Sequence, residues 1–260
     1  IWAGMSAVTL WLGYRAIQRQ RRVDWVLYAI AAAVAANIYY NELFTLAAFV
    51  LFILITRWGN WRLIRQLLLA QSLAVITAGL SFIILQWSLL TRGGYGGTAG
   101  NFDATLLPSF LTTLTFGKDL PPTLVSIIWP IILLALLAGL FFLWRMRREQ
   151  ALFLGLAAFL PLLILSILSL KLKIFAPHYI LSAVPAYILI FATLIGRLSD
   201  VSPAPYRLGR IGAAAVMMAW LVGAGYTLNN YYNDPTYIKA PNWPKATAYL
   251  HDYVKADDLV

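Results

Sequence analysis

LVSIIWPIILLALLAGLFFLW (Leu124–Trp144) is followed by RMRREQ (145–150) and then by ALFLGLAAFLPLLILSILSL (Ala151–Leu170). Neither apolar run contains a charged residue. Each matches the about 20 residues that carry a helix across a bilayer core. Leu67–Trp87 is a third uncharged run of this kind, and weaker ones cover about 1–14, 25–40, 43–56, 179–196 and 211–228. Composition agrees: 61% of the 260 residues are hydrophobic and 12% are charged, against about 45–50% and about 25% in soluble domains. Lipid is therefore the expected solvent for most side chains. The predicted fold is all-α, a polytopic transmembrane helical bundle of about eight spans over residues 1–228. Residues 229–260 read as the start of an extracytoplasmic soluble domain. The chain opens on Ile1 inside an apolar segment and closes on Asp257-Asp-Leu-Val260, where a strand is expected to begin. Both ends read as cuts in a longer protein.

The short turns alternate in charge. Arg15, Arg19, Arg21 and Arg22 form one cluster, followed by Arg57, Arg62 and Arg65, by Arg145, Arg147 and Arg148, and by Arg197, Arg207 and Arg210. These are 13 of the 20 basic residues. Under the positive-inside rule they face the cytoplasm. The 88–122 loop, the 171–178 loop and the 229–260 tail then lie outside, and the eight spans need no exception. The net charge of +10 is explained by orientation, with no nucleic-acid partner. A multi-pass integral membrane protein is expected. There is no cysteine, which excludes disulfides, thiolate zinc sites and a thiol nucleophile. Trp25, Tyr39, Tyr40, Trp58, Trp61, Trp87, Trp144 and Tyr179 gather near span ends, the place of an interfacial aromatic belt.

Polar interruptions of the apolar pattern concentrate on the predicted outer face. Asn37-Ile-Tyr-Tyr-Asn-Glu42 puts Tyr40, Asn41 and Glu42 in a tight hairpin. Glu42 either turns the chain in interfacial water or faces a cavity, since an ionisable group within the membrane needs a partner. Arg92-Gly-Gly-Tyr-Gly-Gly-Thr-Ala-Gly100 lacks the Gly-Lys-Ser/Thr of a phosphate loop and reads as a linker. Leu106, Leu107, Phe110, Leu111 and Leu114 recur at helical spacing, which predicts a short outer interfacial helix with its apolar face in lipid. Lys171-Leu-Lys-Ile-Phe-Ala-Pro-His-Tyr179 places Lys171, Lys173 and His178 at headgroup level. They either hold a lipid phosphate or snorkel to ordinary headgroups. Trp243, Ala246, Tyr249, Leu250 and Tyr253 predict an amphipathic helix opening the tail domain.

Lys171-x-Lys173-x₄-His178-Tyr-Ile-Leu-x₃-Pro185 before an apolar span resembles a segment of the membrane glycosyltransferases of the GT-C fold. More narrowly, it is similar to bacterial proteins related to the dolichyl-phosphate-mannose–protein mannosyltransferases, the glycosyltransferase 39-like family. Arg22-Val-Asp-Trp25-Val-Leu-Tyr28 leading to Ile38-Tyr-Tyr40 fits the same pattern. So does Asn242-Trp-Pro-Lys-Ala-Thr-Ala-Tyr-Leu250 with Asp257-Asp-Leu-Val260. The likeness covers most of the chain in layout. It departs at His178-Tyr179, where the family often has Arg-Tyr, and at Tyr39-Tyr40, where it often has His-Tyr.

The resemblance implies transfer of a sugar from a polyprenyl-phosphate donor to a glycan, lipid or protein acceptor at the outer surface. It implies a catalytic aspartate in an outer loop before residue 1. Lys171, Lys173, His178 and Tyr179 are the implied donor-phosphate residues, and Tyr40, Asn41 and Glu42 the acceptor or cavity residues. No metal-ligand set or cofactor is identified, and a divalent cation stays open. On this reading Lys171, Lys173 and His178 share one outer groove with the 105–116 helix at its rim. A transporter or flippase of lipid-linked sugars, and a structural membrane subunit, are the competing readings.

Overall fold

In hydrocarbon, backbone N–H and C=O groups have no water to bond, so segments that cross it satisfy themselves as helices or closed barrels. The computed structural model takes the first course. It describes residues 2–91, 100–117, 120–171, 174–200 and 208–233, without the side chains of 82–91, 199–200 and 208. The helices among these residues are α1 (Trp2–Arg19), α2 (Arg22–Ile38), α3 (Glu42–Thr56), α4 (Trp61–Thr91), α5 (Leu107–Phe116), α6 (Pro122–Met146), α7 (Arg148–Leu168), α8 (Val184–Asp200) and α9 (Leu208–Asn233). Tight 3-10 turns cover Ala104–Leu106 and Pro177–Ala183. The one β element among the described residues is a single antiparallel bridge between Gly100 and Phe175. Five stretches are long and apolar enough to cross a membrane: Trp61–Ser81, Pro122–Met146, Arg148–Leu168, Pro177–Leu198 and Gly209–Asn233. The predicted amphipathic helix at 243–254 lies outside the described residues.

Local chemistry sets the helix boundaries. The α3–α4 turn passes through Gly59 at φ 89°, a conformation that costs glycine nothing. Beside it, the Asn60 side chain accepts from the Leu63 N–H at 3.1 Å and caps α4. The turn before α5 is capped by Asp103, which accepts from the Thr105 hydroxyl at 2.7 Å and its N–H at 2.8 Å. These two bonds hold the exposed Asp103 carboxyl below the usual carboxylate range. Gly117, at φ 107°, ends α5.

The arginine-bearing turns meet at one end of the bundle. Arg57 pairs with Glu149 at 2.9 Å, and Gln18 reaches the same carboxylate at 3.4 Å. Arg197 donates to the Met146 sulfur at 2.8 Å. At this end, too, Arg15 and the buried Asp24 pair at 2.7 Å across the α1–α2 turn. The large exposed apolar residues, among them Leu69, Ile76, Ile127, Leu134 and Val222, form a lipid-compatible outside.

The main core joins α1, α2, α3 and α7 through aromatic rings. Tyr28 packs on Phe49 with centroids 5.2 Å apart, and Phe153 meets Tyr14, Phe49 and Phe52 at 5.1, 5.1 and 5.3 Å. Gln71 of α4 donates to the Tyr28 hydroxyl at 2.8 Å and the Leu46 carbonyl at 3.0 Å. A second cluster holds Phe110, Leu165, Phe175 and Ile180. It corrects one expectation. The apolar face of α5 turns into protein rather than lipid, because Phe175 and Leu165 offer it a dry surface; the Phe110 and Phe175 rings lie 4.5 Å apart. Trp25 and Tyr39 are buried rather than anchored at an interface, since each has ring partners inside: Tyr28 for Trp25, Trp2 and Tyr40 for Tyr39.

Close helix contact depends on Gly139. A Cβ built there meets the Ile190 carbonyl oxygen at 2.6 Å and its Cγ2 at 2.9 Å, so α6 and α8 touch through backbone. Gly139→Ala is expected to force the pair apart and lower stability by about 1–3 kcal/mol. Gly79→Ala, with nothing within 4 Å, is expected not to destabilise. Unfolding in detergent, followed by helical circular dichroism, checks both.

Candidate functional site

The end opposite the arginine turns carries the polar features. α2 stops at Ile38, and Tyr39, Tyr40 and Asn41 turn the chain directly into α3 at Glu42. Backbone bonds from Glu42 to Tyr39 (2.9 Å), Leu43 to Tyr40 (3.1 Å) and Phe44 to Asn41 (3.0 Å) make the turn tight. The Tyr39 hydroxyl donates to the His178 carbonyl oxygen in the 177–183 turn. Two segments 139 residues apart are thereby pinned together. Tyr39 stacks on Trp2 at 4.9 Å and on Tyr40 at 6.2 Å, and the His178 ring lies 4.2 Å from that of Tyr179. Hydrogen bonds from Phe102 to Ser169 and from Phe175 to Gly100, both 2.9 Å, hold the residue 100–102 strip beside the same turn.

Glu42 is not the solvent-exposed turn residue of the simpler expectation: it is 1% exposed. The side chain enters the bundle because its helix begins inside the hairpin, facing α1. There the Ser6 hydroxyl donates to Glu42 Oε2. The other oxygen, Oε1, is buried without a partner among the described residues. Thr9 lies one turn beyond Ser6, and Thr45 one turn beyond Glu42. Both are fully buried, and both hydroxyls lack partners among the described residues. Ser182, from the turn that packs on α1, is a third buried hydroxyl of this kind. The result is a polar seam, one carboxylate and several hydroxyls, descending a helical turn into the bundle. Buried polar atoms without partners are costly.

The expected site residues divide in three. Tyr40, Asn41, Glu42, His178 and Tyr179 are gathered at one end by the hairpin and the Tyr39–His178 bond. Lys171 sits at the end of α7, exposed, with its N–H bonded to the Leu168 carbonyl at 3.2 Å. Lys173 lies outside the described residues. The His178 ring is exposed and Tyr179 half-buried.

Sequence reading missed Ser6, Thr9, Thr45 and Ser182. A signal was present: Ser6/Thr9 and Glu42/Thr45 each recur three apart, which puts both polar groups on one helix face. The Arg15–Asp24 pair was missed because Asp24 sits beside a run of arginines, where a carboxylate reads as a solvated helix start. Among the described residues no group of three or more His, Cys, Asp or Glu side chains converges for a metal.

Comparison of the chain with protein-family models, with curated proteins and with solved structures found no match.

Tyr39→Phe keeps the ring stack and removes the bond to the 177–183 turn. It is expected to cost about 0.5–1.5 kcal/mol and to speed amide exchange selectively in residues 177–183. Hydrogen exchange read by mass spectrometry checks this; unchanged exchange there refutes the tether.

Proposed function

We propose that this chain is part of a GT-C-type membrane glycosyltransferase that transfers a sugar from a polyprenyl phosphate to an acceptor at the extracytoplasmic face. In this reading the chain has eight spans, the arginine end is cytoplasmic, and residues 229–260 open an outer domain. The observation that carries it is the Tyr39–His178 bond. It brings together the two segments that the resemblance implies for acceptor and donor, beside a seam with an unsatisfied carboxylate oxygen. In the transfer, the acceptor oxygen forms a bond to the anomeric carbon of the donor. The bond from that carbon to the phosphate oxygen breaks, and its electron pair leaves with the polyprenyl phosphate. The acceptor proton passes to a carboxylate base. Lys171, Lys173 and His178 stabilise the departing phosphate, and Tyr179 lines the same contact. Glu42 Oε1, Asn41 and Tyr40 hold an acceptor hydroxyl.

One observation favours a second reading, a transporter or flippase of lipid-linked sugars. Glu42 is an ionisable group buried in the bundle interior with one oxygen that has no partner among the described residues, and such groups mark substrate paths in membrane proteins.

Labelled polyprenyl-phosphate sugars added to membranes containing the protein distinguish the two. Lys171→Ala and His178→Ala are expected to lower transfer about 10–100-fold each, the worth of a hydrogen bond to a charged group, at equal expression. The exposed Arg62→Ala is expected to transfer normally. No transfer from any donor, with movement of intact lipid-linked sugar across the vesicle wall, supports the transporter instead.

A further inference from the structure

At the arginine end, α6 and α7 diverge from their turn and leave a groove on the outside of the bundle. Leu137, Phe141 and Trp144 form one wall, and Leu152, Gly155 and Leu156 form the other. Its volume is about 370 Å³, within the about 300–1,000 Å³ of small-molecule sites. The lining is almost wholly apolar. Gly155 makes the space: a Cβ there meets only the Leu140 methyls, at 3.7 and 3.9 Å, so a larger side chain would stand in the groove without displacing a neighbour.

The mouth has the opposite character. Arg145, Arg147 and Arg148 are all exposed around the α6–α7 turn. The Arg145 guanidinium lies 5.7 Å from the centroid of the Phe141 ring, which is itself a groove wall. Arg197 is held alongside by its bond to Met146. The nearest acid in sequence, Glu149, is already engaged by Arg57 and Gln18. Among the described residues none of the three turn arginines forms an ion pair.

We propose that this groove binds an anionic phospholipid, with one acyl chain along Leu137, Phe141 and Gly155 and the headgroup phosphate on the arginines. The argument is charge complementarity over an apolar slot. Guanidinium groups grip phosphate oxygens through paired N–H donors, and basic pockets between membrane helices select acidic headgroups. A headgroup with net negative charge gains this attraction in full. A zwitterionic one carries its own ammonium beside the phosphate and gains little. The site lies at the far end of the bundle from the Tyr39–His178 contact, and nothing in it rests on the glycosyltransferase reading.

The test is lipid titration of the full chain in detergent, read by native mass spectrometry. The probes are phosphatidylglycerol and phosphatidylcholine with identical acyl chains. The wild type is expected to retain phosphatidylglycerol about tenfold better, the worth of one charge-assisted contact. Gly155→Leu fills the slot and is expected to lower phosphatidylglycerol retention severalfold. Gly79→Leu, the same change where nothing lies within 4 Å, is expected to leave retention as it is. The triple variant Arg145→Gln, Arg147→Gln, Arg148→Gln touches no core packing and is expected to erase the preference between the two lipids. Equal retention of both lipids by the wild type overturns the proposal. So does retention that Gly155→Leu leaves unchanged. A dimer that forms in place of lipid binding and is abolished by Gly155→Leu also overturns it, by giving the groove to a second copy of the chain.

Discussion

Gly13 has no side chain, and the volume it leaves is taken by two rings. A Cβ at this position would run into the Phe49 ring and lie 2.7 Å from Cε2 of Tyr28. Because that space is open, α1 lies flat against a stack in which Tyr28, Phe49 and Phe153 make successive tilted and edge contacts, the arrangement that the charge distribution of aromatic rings favours. Phe153 belongs to α7, so the stack reaches across to the second half of the chain. Gln71 closes it from α4 by bonding the Tyr28 hydroxyl. Helices have no hydrophobic drive toward one another in lipid, so close fit and interhelical hydrogen bonds hold them together. Here both occur at one level of the bundle. The placement of Ser6 against Glu42 follows from it, since α1 can approach α3 only as closely as Gly13 allows.

The two ends of the bundle bury different polar groups. At the arginine end, Asp24 is buried in company with Arg15, while Asp24 Oδ2, Trp25 Nε1 and Gln66 Oε1 are buried without partners among the described residues. At the other end, the polar groups point inward and are under-satisfied. Glu42, Thr9, Thr45 and Ser182 all carry buried oxygens without partners among the described residues. An interior of that kind costs stability, since each such atom forgoes its water without a replacement. Natural folds tolerate the cost mainly where a ligand or ordered water makes the missing bonds. The second apolar cluster, around Phe110 and Phe175, shields the strip beside the 177–183 turn and keeps this end from opening freely to lipid.

Much of this architecture was legible in the residues. The uncharged runs at Leu124–Trp144 and Ala151–Leu170 give α6 and α7 within a few residues, because twenty apolar positions leave a chain in lipid no alternative to a helix. The arginine clusters foretold which turns share an end. The short helix at Leu107–Phe116 was readable from its spacing, but its partner was not. Periodicity shows that a face is apolar and is silent on whether protein or lipid covers it. Glu42 was visible as an oddity, and its burial was not, since that depends on a Ser thirty-six residues earlier and on the void at Gly13. Pairings between distant small polar residues leave no local pattern to read. Lys171 and His178 were singled out as side chains, whereas the tether from Tyr39 uses the carbonyl oxygen of His178.

The two positions joined by that bond contribute to it differently. The tether runs from a side chain at 39 to the backbone at 178, and every residue type supplies a backbone carbonyl. Substitution at 178 therefore leaves the acceptor of the tether in place, and what it changes is the ring contact with Tyr179. Position 39 has no such freedom, because only a tyrosine places a hydroxyl there on a stacked ring. Over evolutionary time the two sites would answer to different pressures. Position 39 answers to the tether through its side chain, whereas position 178 answers to it through its backbone and to Tyr179 through its ring.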